Sequence, residues 1–105
     1  MYARVALFED HDPEQMDELI RRLDERARQH PEVLPEARSF LAFFDRASGK
    51  SVGITFFDSL EALEAAEPKL ANFPRTYPDA LKGRRASLAV YEAGVADRPD
   101  AIAAR

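Results

Sequence analysis

The chain has 105 residues, of which 46% are hydrophobic and 32% charged, and its formal net charge at pH 7 is -4. This length predicts a single domain, small enough that a partner subunit would help it to bury apolar surface. Interspersed acids and bases argue against nucleic-acid binding, no apolar run is long enough to span a membrane, and the absence of cysteine fits a cytoplasmic location.

The first predicted strand runs from Tyr2 to Phe8, where side chains alternate between two faces. A helix start follows, because Asp12 can act as its cap and Pro13 suits its first position. From Met16 to Ala27, apolar residues recur at steps of three and four, which is typical of an amphipathic helix. The two prolines of the segment HPEVLPEA end this helix.

The next part of the chain predicts a β-hairpin. Its strands run from Ala37 to Arg46 and from Lys50 to Phe57, and a short turn containing Ser48-Gly49 joins them. The first of these strands is rich in phenylalanine, and the second carries valine, isoleucine and phenylalanine; these residue types are typical of strands.

A second helix is predicted after this hairpin. Asp58 or Ser59 can cap it, Leu60 and Leu63 are expected to face inward, and Pro68 is expected to interrupt it.

A fourth strand from Arg84 to Tyr91 completes the order β-α-β-β-α-β. Right-handed connections make this order an α+β fold of the ferredoxin-like type, with a four-stranded antiparallel sheet and both helices on one face. We expect residues 1–95 to form this single domain and residues 96–105 to form a C-terminal tail.

Both faces of the predicted sheet are apolar. One face carries bulky residues that suit packing beneath two helices: Val5, Leu7, Leu41, Phe43, Val52, Ile54, Phe56, Leu88 and Val90. The fold has no third helix to cover the other face, and a large exposed apolar patch is unusual for a monomer. We therefore expect a second copy of the sheet to cover that face in an isologous homodimer.

The second face combines small residues with large aromatic ones. Two sheets whose centres are lined with small residues need not close completely, and aromatic walls around the gap would make a ligand pocket. The alternative is that facing aromatic side chains fill the gap as ordinary core. The predicted pocket or dimer interior is lined by Arg4, Ala6, Phe8, Phe40, Ala42, Phe44, Gly53, Thr55, Phe57, Ala89 and Tyr91.

The order of elements, and the stretch FFDRASGKSVGITFFDSLEAL in particular, resembles the antibiotic biosynthesis monooxygenase domain of the dimeric α/β-barrel superfamily. The resemblance extends from about Tyr2 to Gly94 and implies a homodimer whose two sheets form a barrel. That family includes cofactor-independent oxygenases acting on quinols and polycyclic phenols, haem-degrading enzymes, and members without known activity.

The resemblance does not extend to the residues of the haem-degrading members, which use an asparagine, a tryptophan and a histidine on the second helix. This chain has no tryptophan, and Asn72, its only asparagine, follows Pro68. Its histidines, His11 and His30, lie before and after the first helix. Relatives often carry a tryptophan at the end of the third strand, where this chain has Phe57. A haem-degrading role is therefore disfavoured, and no cofactor is predicted.

Three residues are candidates for chemistry. His11 lies between Asp10 and Asp12, whose carboxylates would favour its protonated form and could tune it as a base. One histidine with two acids is a weak ligand set, so no metal site is predicted. Tyr91 could donate a hydrogen bond to a substrate oxygen. Arg4 could bind an anionic substrate at the pocket mouth or bridge the dimer through an acid.

Two functions are compatible with the sequence. The first is a dimeric protein that binds a small phenol or quinol and oxidises it with oxygen and no cofactor. The substrate's own anion then supplies the electrons, so the protein needs a base, oxyanion stabilisation and a dry pocket. The alternative is a non-catalytic dimeric binding or assembly module of unknown ligand. A cavity with converging polar groups favours the first, and a filled interior favours the second.

Overall fold

The computed structural model describes residues 1–73, 77–78 and 81–94. The boundary predicted at residue 95 and the tail predicted over residues 96–105 lie outside these ranges. In the described residues a short 3-10 turn (Pro13–Gln15) precedes the first helix. The strands and helices are β1 (Tyr2–Glu9), α1 (Met16–Arg28), α2 (His30–Val33), β2 (Ser39–Asp45), β3 (Lys50–Phe57), α3 (Leu60–Asn72) and β4 (Arg84–Glu92).

The strands form one antiparallel sheet in the order β2-β3-β1-β4. With the long helices α1 and α3 placed between the strands in sequence, this arrangement confirms the predicted ferredoxin-like α+β fold. In the part of the chain that the structure describes, no helix is long and apolar enough to cross a membrane.

The start of α1 follows the sequence prediction. The Asp12 carboxylate accepts a hydrogen bond of 3.0 Å from the backbone N–H of Glu14, and Pro13 occupies the first position of the turn that leads into the helix. Met16 and Leu19 of α1 are buried. The cap and the apolar stripe therefore fix both where the helix begins and which side it buries.

Helix α3 differs from its prediction at two positions. It continues through Pro68, although a proline removes one backbone N–H and crowds the carbonyl four residues earlier. Leu63 and Ala66 are buried before the proline and Leu70 is half-buried after it, so packing on both sides favours one continuous helix. Leu60, predicted to face inward, is exposed at the first helical position.

The helices cover the sheet face opposite to the one predicted. Arg4, Ala6 and Thr55 are buried, whereas Leu7 and Phe43 are exposed. The prediction failed because both faces are apolar, so hydrophobicity alone does not choose between them. Helices bring large side chains of their own, and small sheet residues make room for these. The covered face carries Tyr2, Arg4, Ala6, Phe8, Phe40, Ala42, Phe44, Ser51, Gly53, Thr55 and Phe57.

The predicted alternation of β4 is also reversed relative to β1. Ala6 pairs with Leu88 and Val5 pairs with Ala89, so Ala89 and Tyr91 lie on the face away from the helices. The pairing of β1 with β4 shifts register between Leu7 and Phe8. Because β4 is also an edge strand, the size of its residues does not indicate which of them face the helices. The open face comprises Val5, Leu7, Leu41, Phe43, Val52, Ile54, Phe56, Ala89 and Tyr91.

One end of the covered face is filled by a packed core. Phe57 at the end of β3 is fully buried there. Its neighbours come from α3 and from the segment between α2 and β2: Leu34, Ala37, Leu63 and Ala66. Phe57 was predicted as a pocket residue, but it belongs to this core.

Candidate functional site

A cavity of about 170 Å³ lies between the sheet and the helices within one chain. Its floor is formed by Ala6, Ala42 and Gly53, which lie side by side because each pairs in register with its neighbour. A Cβ atom added to Gly53 would meet only the ring of Phe40, at 3.6 Å. Its walls are mainly apolar and come from β1, β2, α1, α3 and the segment before β4: Phe8, Phe40, Phe44, Leu19, Leu23, Leu70, Phe73, Tyr77 and Leu81.

Eight of the eleven predicted pocket residues line this cavity: Arg4, Ala6, Phe8, Phe40, Ala42, Phe44, Gly53 and Thr55. The other three lie elsewhere, Phe57 in the core and Ala89 and Tyr91 on the open face. Tyr91 is 58% exposed and points away from the helices, so the structure does not bring it together with His11. The cavity belongs to a single chain and does not lie between two sheets.

Sequence reasoning missed several lining residues. Ser51 precedes Gly53 by two positions in the same strand, so alternation alone would have placed it on the same face. The apolar stripe of α1 supplies Leu19 and Leu23. No local signal marks Lys82 and Gly83, which reach the cavity from the segment before β4.

His11 lies at the edge of this cavity in a defined orientation. Its backbone N–H donates a hydrogen bond of 3.0 Å to the carbonyl of Gly49 in the hairpin turn. Its Nε2 atom lies 2.8 Å from the Ser51 hydroxyl, and its ring centroid is 6.2 Å from that of Phe8. Asp10 adopts a left-handed conformation with φ of 63°, which turns the chain from β1 into this position.

Two glycines leave room for His11. A Cβ atom on Gly83 would lie 2.6 Å from Cε1 and 2.7 Å from Nε2 of His11, and 2.8 Å from the backbone oxygen of Glu9. Gly49 has a φ of +70°, and a Cβ atom there would lie 2.6 Å from the backbone oxygen of His11. A side chain at either position would therefore displace His11 or the loop that carries it.

Burial lowers the pKa of His11, and a hydrogen bond to the backbone of Leu81 opposes this shift. The imidazole is thus neutral at neutral pH, as a general base requires. The prediction that Asp10 and Asp12 favour its protonated form is wrong. Asp10 pairs with Arg84 at 3.1 Å, and Asp12 caps the turn before α1.

Arg4, which lines the same cavity, belongs to an ion pair. Arg4 is only 6% exposed, and its Nε and Nη2 atoms donate to the two carboxylate oxygens of Glu67 at 2.7 and 2.9 Å. This two-pronged hydrogen bonding holds the pKa of Glu67 below its usual range. Arg4 therefore binds an acid of its own chain, on α3, and not an acid of a partner as one prediction had it. Thr55, paired with Arg4 across the sheet, is also buried.

The other polar candidates do not converge on this cavity. Asn72 is exposed at the last position of α3, and the Nε2 atom of His30 hydrogen-bonds to the Ala37 carbonyl. Among the described residues, no group of three or more histidine or acidic side chains could hold a metal ion.

No protein-family model and no curated protein matches the chain. Solved structures do. The haem degrader MhuD from Mycobacterium tuberculosis, which has two haems bound in its active site, superposes with a TM-score of 0.66 at 19% identity, over 91% of this chain and 98% of that chain.

Two further solved structures are designated antibiotic biosynthesis monooxygenases. The one from Deinococcus radiodurans has a TM-score of 0.60 at 16% identity and covers 91% of this chain and 95% of its own. The one from Chloroflexus aurantiacus has a TM-score of 0.60 at 18% identity and covers 90% and 94%. The resemblance stated from the sequence is thus confirmed at the level of the fold.

Proposed function

We propose that the chain forms an isologous homodimer through its open face. Each subunit binds a small phenol or quinol in the cavity between its helices and sheet and oxidises it with oxygen, without a cofactor. The observation that carries this proposal is an apolar cavity with His11, Ser51 and Arg4 among its lining residues, Arg4 being paired with Glu67.

The size of the cavity limits the ligand. An engineered apolar cavity of about 150 Å³ accommodates benzene, so the present volume of about 170 Å³ suits a single aromatic ring. Phe8, Phe40 and Phe44 offer ring faces and edges for offset or edge-to-face contacts. A one-ring phenol or quinol therefore fits better than the polycyclic phenols that the family resemblance implies.

Haem does not suit this cavity. The macrocycle contains four pyrrole rings, whereas the space between α1, α3 and the sheet holds about one ring. We therefore expect no haem turnover. Reconstitution with haem and a reductant should show no regiospecific ring opening above the background of coupled oxidation.

The chemistry rests on one base beside mainly apolar walls. The neutral imidazole of His11 takes the phenolic proton, and the resulting phenolate supplies electrons to O₂. Overall, one phenol and one O₂ give one quinone and one water. One oxygen atom becomes the new carbonyl, and the other leaves as water with the phenolic hydrogen and the hydrogen of the attacked ring carbon. The mainly apolar walls limit the contact of the reacting anion with bulk water.

The dimer is supported by the open face. Leu7, Phe43 and Tyr91 are exposed there, between 39% and 58%. Fully burying each large apolar side chain contributes roughly 1.5–3 kcal/mol, so covering several of them on each subunit can drive association. A cytoplasmic location belongs to the same proposal and rests on the absence of cysteine.

The test separates binding from turnover. Hydroquinone and substituted phenols are titrated without oxygen by calorimetry, and oxygen uptake is then measured with an electrode. We expect His11→Gln to lower turnover by about 10²- to 10⁴-fold, with binding changed by only a few fold. Ala42→Leu fills the cavity floor and should abolish binding and turnover together.

Two outcomes contradict parts of this proposal. Binding without any oxygen uptake by the unmodified protein would favour the alternative of a non-catalytic binding module. Absence of binding by every phenol, or binding that Ala42→Leu leaves unchanged, would show that the cavity is not a ligand site.

A further inference from the structure

The Arg4–Glu67 pair has binding capacity that the proposed oxidation does not use. Arg4 lines the cavity and directs Nε and Nη2 to Glu67. Within the part of the chain that the structure describes, its Nη1 atom makes no hydrogen bond. A buried guanidinium with donors left over favours a ligand that brings an acceptor.

The charge around Arg4 decides which acceptor suits it. Glu67 already neutralises the guanidinium through two hydrogen bonds. Arg85 also lowers the pKa of Glu67, but it is exposed on the edge strand, where solvent and salt screen its charge. A carboxylate on the ligand would bring a second anion beside Glu67 in a partly desolvated place, at a cost in free energy. An uncharged oxygen accepts a hydrogen bond from Arg4 without that cost.

The sheet register relates Arg4 to the base. Arg4 pairs with Thr55, and Phe8 pairs with Ser51, whose hydroxyl contacts His11. These two cross-strand pairs are four residues apart, or roughly 13 Å along the strands. A single ring between them, with its phenolic oxygen at His11, directs the substituent opposite that oxygen toward Arg4.

We infer that the ligand class is a one-ring phenol with an uncharged acceptor, such as a carbonyl, para to its hydroxyl, and that Arg4 selects it. This inference rests on the proposed function and specifies its substrate. Arg4 is a binding residue in this account and takes no part in proton transfer.

The first experiment compares three para-substituted phenols by calorimetry without oxygen: para-hydroxyacetophenone, para-cresol and para-hydroxybenzoate. We expect the ketone to bind about tenfold more tightly than the cresol, which corresponds to one charge-assisted hydrogen bond. The benzoate should bind most weakly. In the double variant Arg4→Met with Glu67→Gln, which removes both charges, the ratio of ketone to cresol should fall to about one.

The second experiment inverts the selectivity. Glu67→Gln leaves the positive charge of Arg4 uncompensated, so para-hydroxybenzoate should become the tightest ligand of the three. Glu64→Gln is the matched control, because Glu64 lies exposed on the same helix and does not line the cavity. It should keep the selectivity of the unmodified protein. Circular dichroism and thermal unfolding establish that each variant is folded.

The outcomes distinguish this inference from the function on which it rests. Equal binding of ketone and cresol, preference of the unmodified protein for the benzoate, or a ratio that the Arg4 and Glu67 variants leave unchanged would overturn it. Aromatic binding and oxidation dependent on His11 would then still stand. If none of the three phenols binds, both the inference and the proposed function fail.

Discussion

At the centre of the sheet, the two faces differ in the size of their residues. The covered face places Ala6, Ala42 and Gly53 beneath the helices, whereas the open face carries Ile54 and Phe43 at comparable positions of β3 and β2. The centre of a face that receives side chains from helices needs little volume of its own. A face without helices must supply that volume itself. Small residues in the middle of a strand therefore mark the helix side, and here also the cavity floor.

The largest expected effect is the loss of stability when a buried residue of the covered face is replaced. Phe57→Asp places a charge without a partner in a fully buried position of the covered face. Removing a buried phenylalanine alone costs about 3–5 kcal/mol, and a domain of this size typically has only about 5–15 kcal/mol of stability. We expect the variant to lose its cooperative unfolding transition. The measurement is circular dichroism as a function of urea concentration. A folded, cooperative variant would contradict the assignment of Phe57 to the core.

The second effect concerns the open face. Phe43→Asp changes a residue that is 55% exposed in one chain, so the fold should persist while the association is lost. Light scattering at micromolar concentration should then report a mass of 11.8 kDa where the unmodified protein reports twice that value. Leu60→Asp is the control, since Leu60 is similarly exposed but lies on α3. Equal masses for Phe43→Asp and the unmodified protein would argue against this interface.

The third effect tests how the covered face holds His11. Gly83→Ala brings a methyl group within 2.6 Å of the imidazole and 2.8 Å of the Glu9 carbonyl. Overpacking of this kind typically costs about 1–3 kcal/mol, and the displaced imidazole should no longer support oxidation. Gly94→Ala is the control, because an added Cβ atom there meets nothing within 4 Å. Thermal unfolding and oxygen uptake measure the two consequences. Unchanged behaviour of Gly83→Ala would contradict the described packing.

The fold was predictable because its signals are local. Alternation identified the strands, the cap at Asp12 and the apolar stripe identified α1, and the turn at Gly49 identified the hairpin. The choice of covered face was not predictable, because it depends on volumes that α1 and α3 bring from elsewhere in the chain. Size rather than hydrophobicity was the informative quantity.

The candidate site was predictable only in part. Strand alternation grouped Ala6, Ala42 and Gly53 correctly, although they were expected to lie between two subunits. The surroundings of His11 could not be inferred from its sequence neighbours, because side chains of adjacent loop residues diverge. Its actual partners, Ser51 and Gly83, come from distant segments that only the sheet register brings together.

The smallest expected effect is a pH dependence of the free energy of unfolding, caused by His11 beside the covered face. Burial holds the pKa of His11 in the folded protein below the ordinary value of 6.5, so the unfolded chain binds the proton first as the pH falls. The free energy of unfolding should be constant above about pH 6.5, decrease below it, and level off below the folded pKa. His11→Gln should remove this decrease in urea titrations across that range. A decrease of equal size in the variant would contradict the assignment to His11.

The position of His11 has a consequence for the kinetics of folding. Its contacts come from the β2–β3 hairpin, through Gly49 and Ser51, and from the segment before β4, through Gly83. The hairpin joins neighbouring strands, whereas pairing of β1 with β4 joins the two ends of the described domain. Contacts between distant segments carry a larger loop-closure entropy and form more slowly. The imidazole thus acquires its full set of neighbours only after the last strand has docked. A ligand held by His11 would bind the finished fold and no hairpin intermediate.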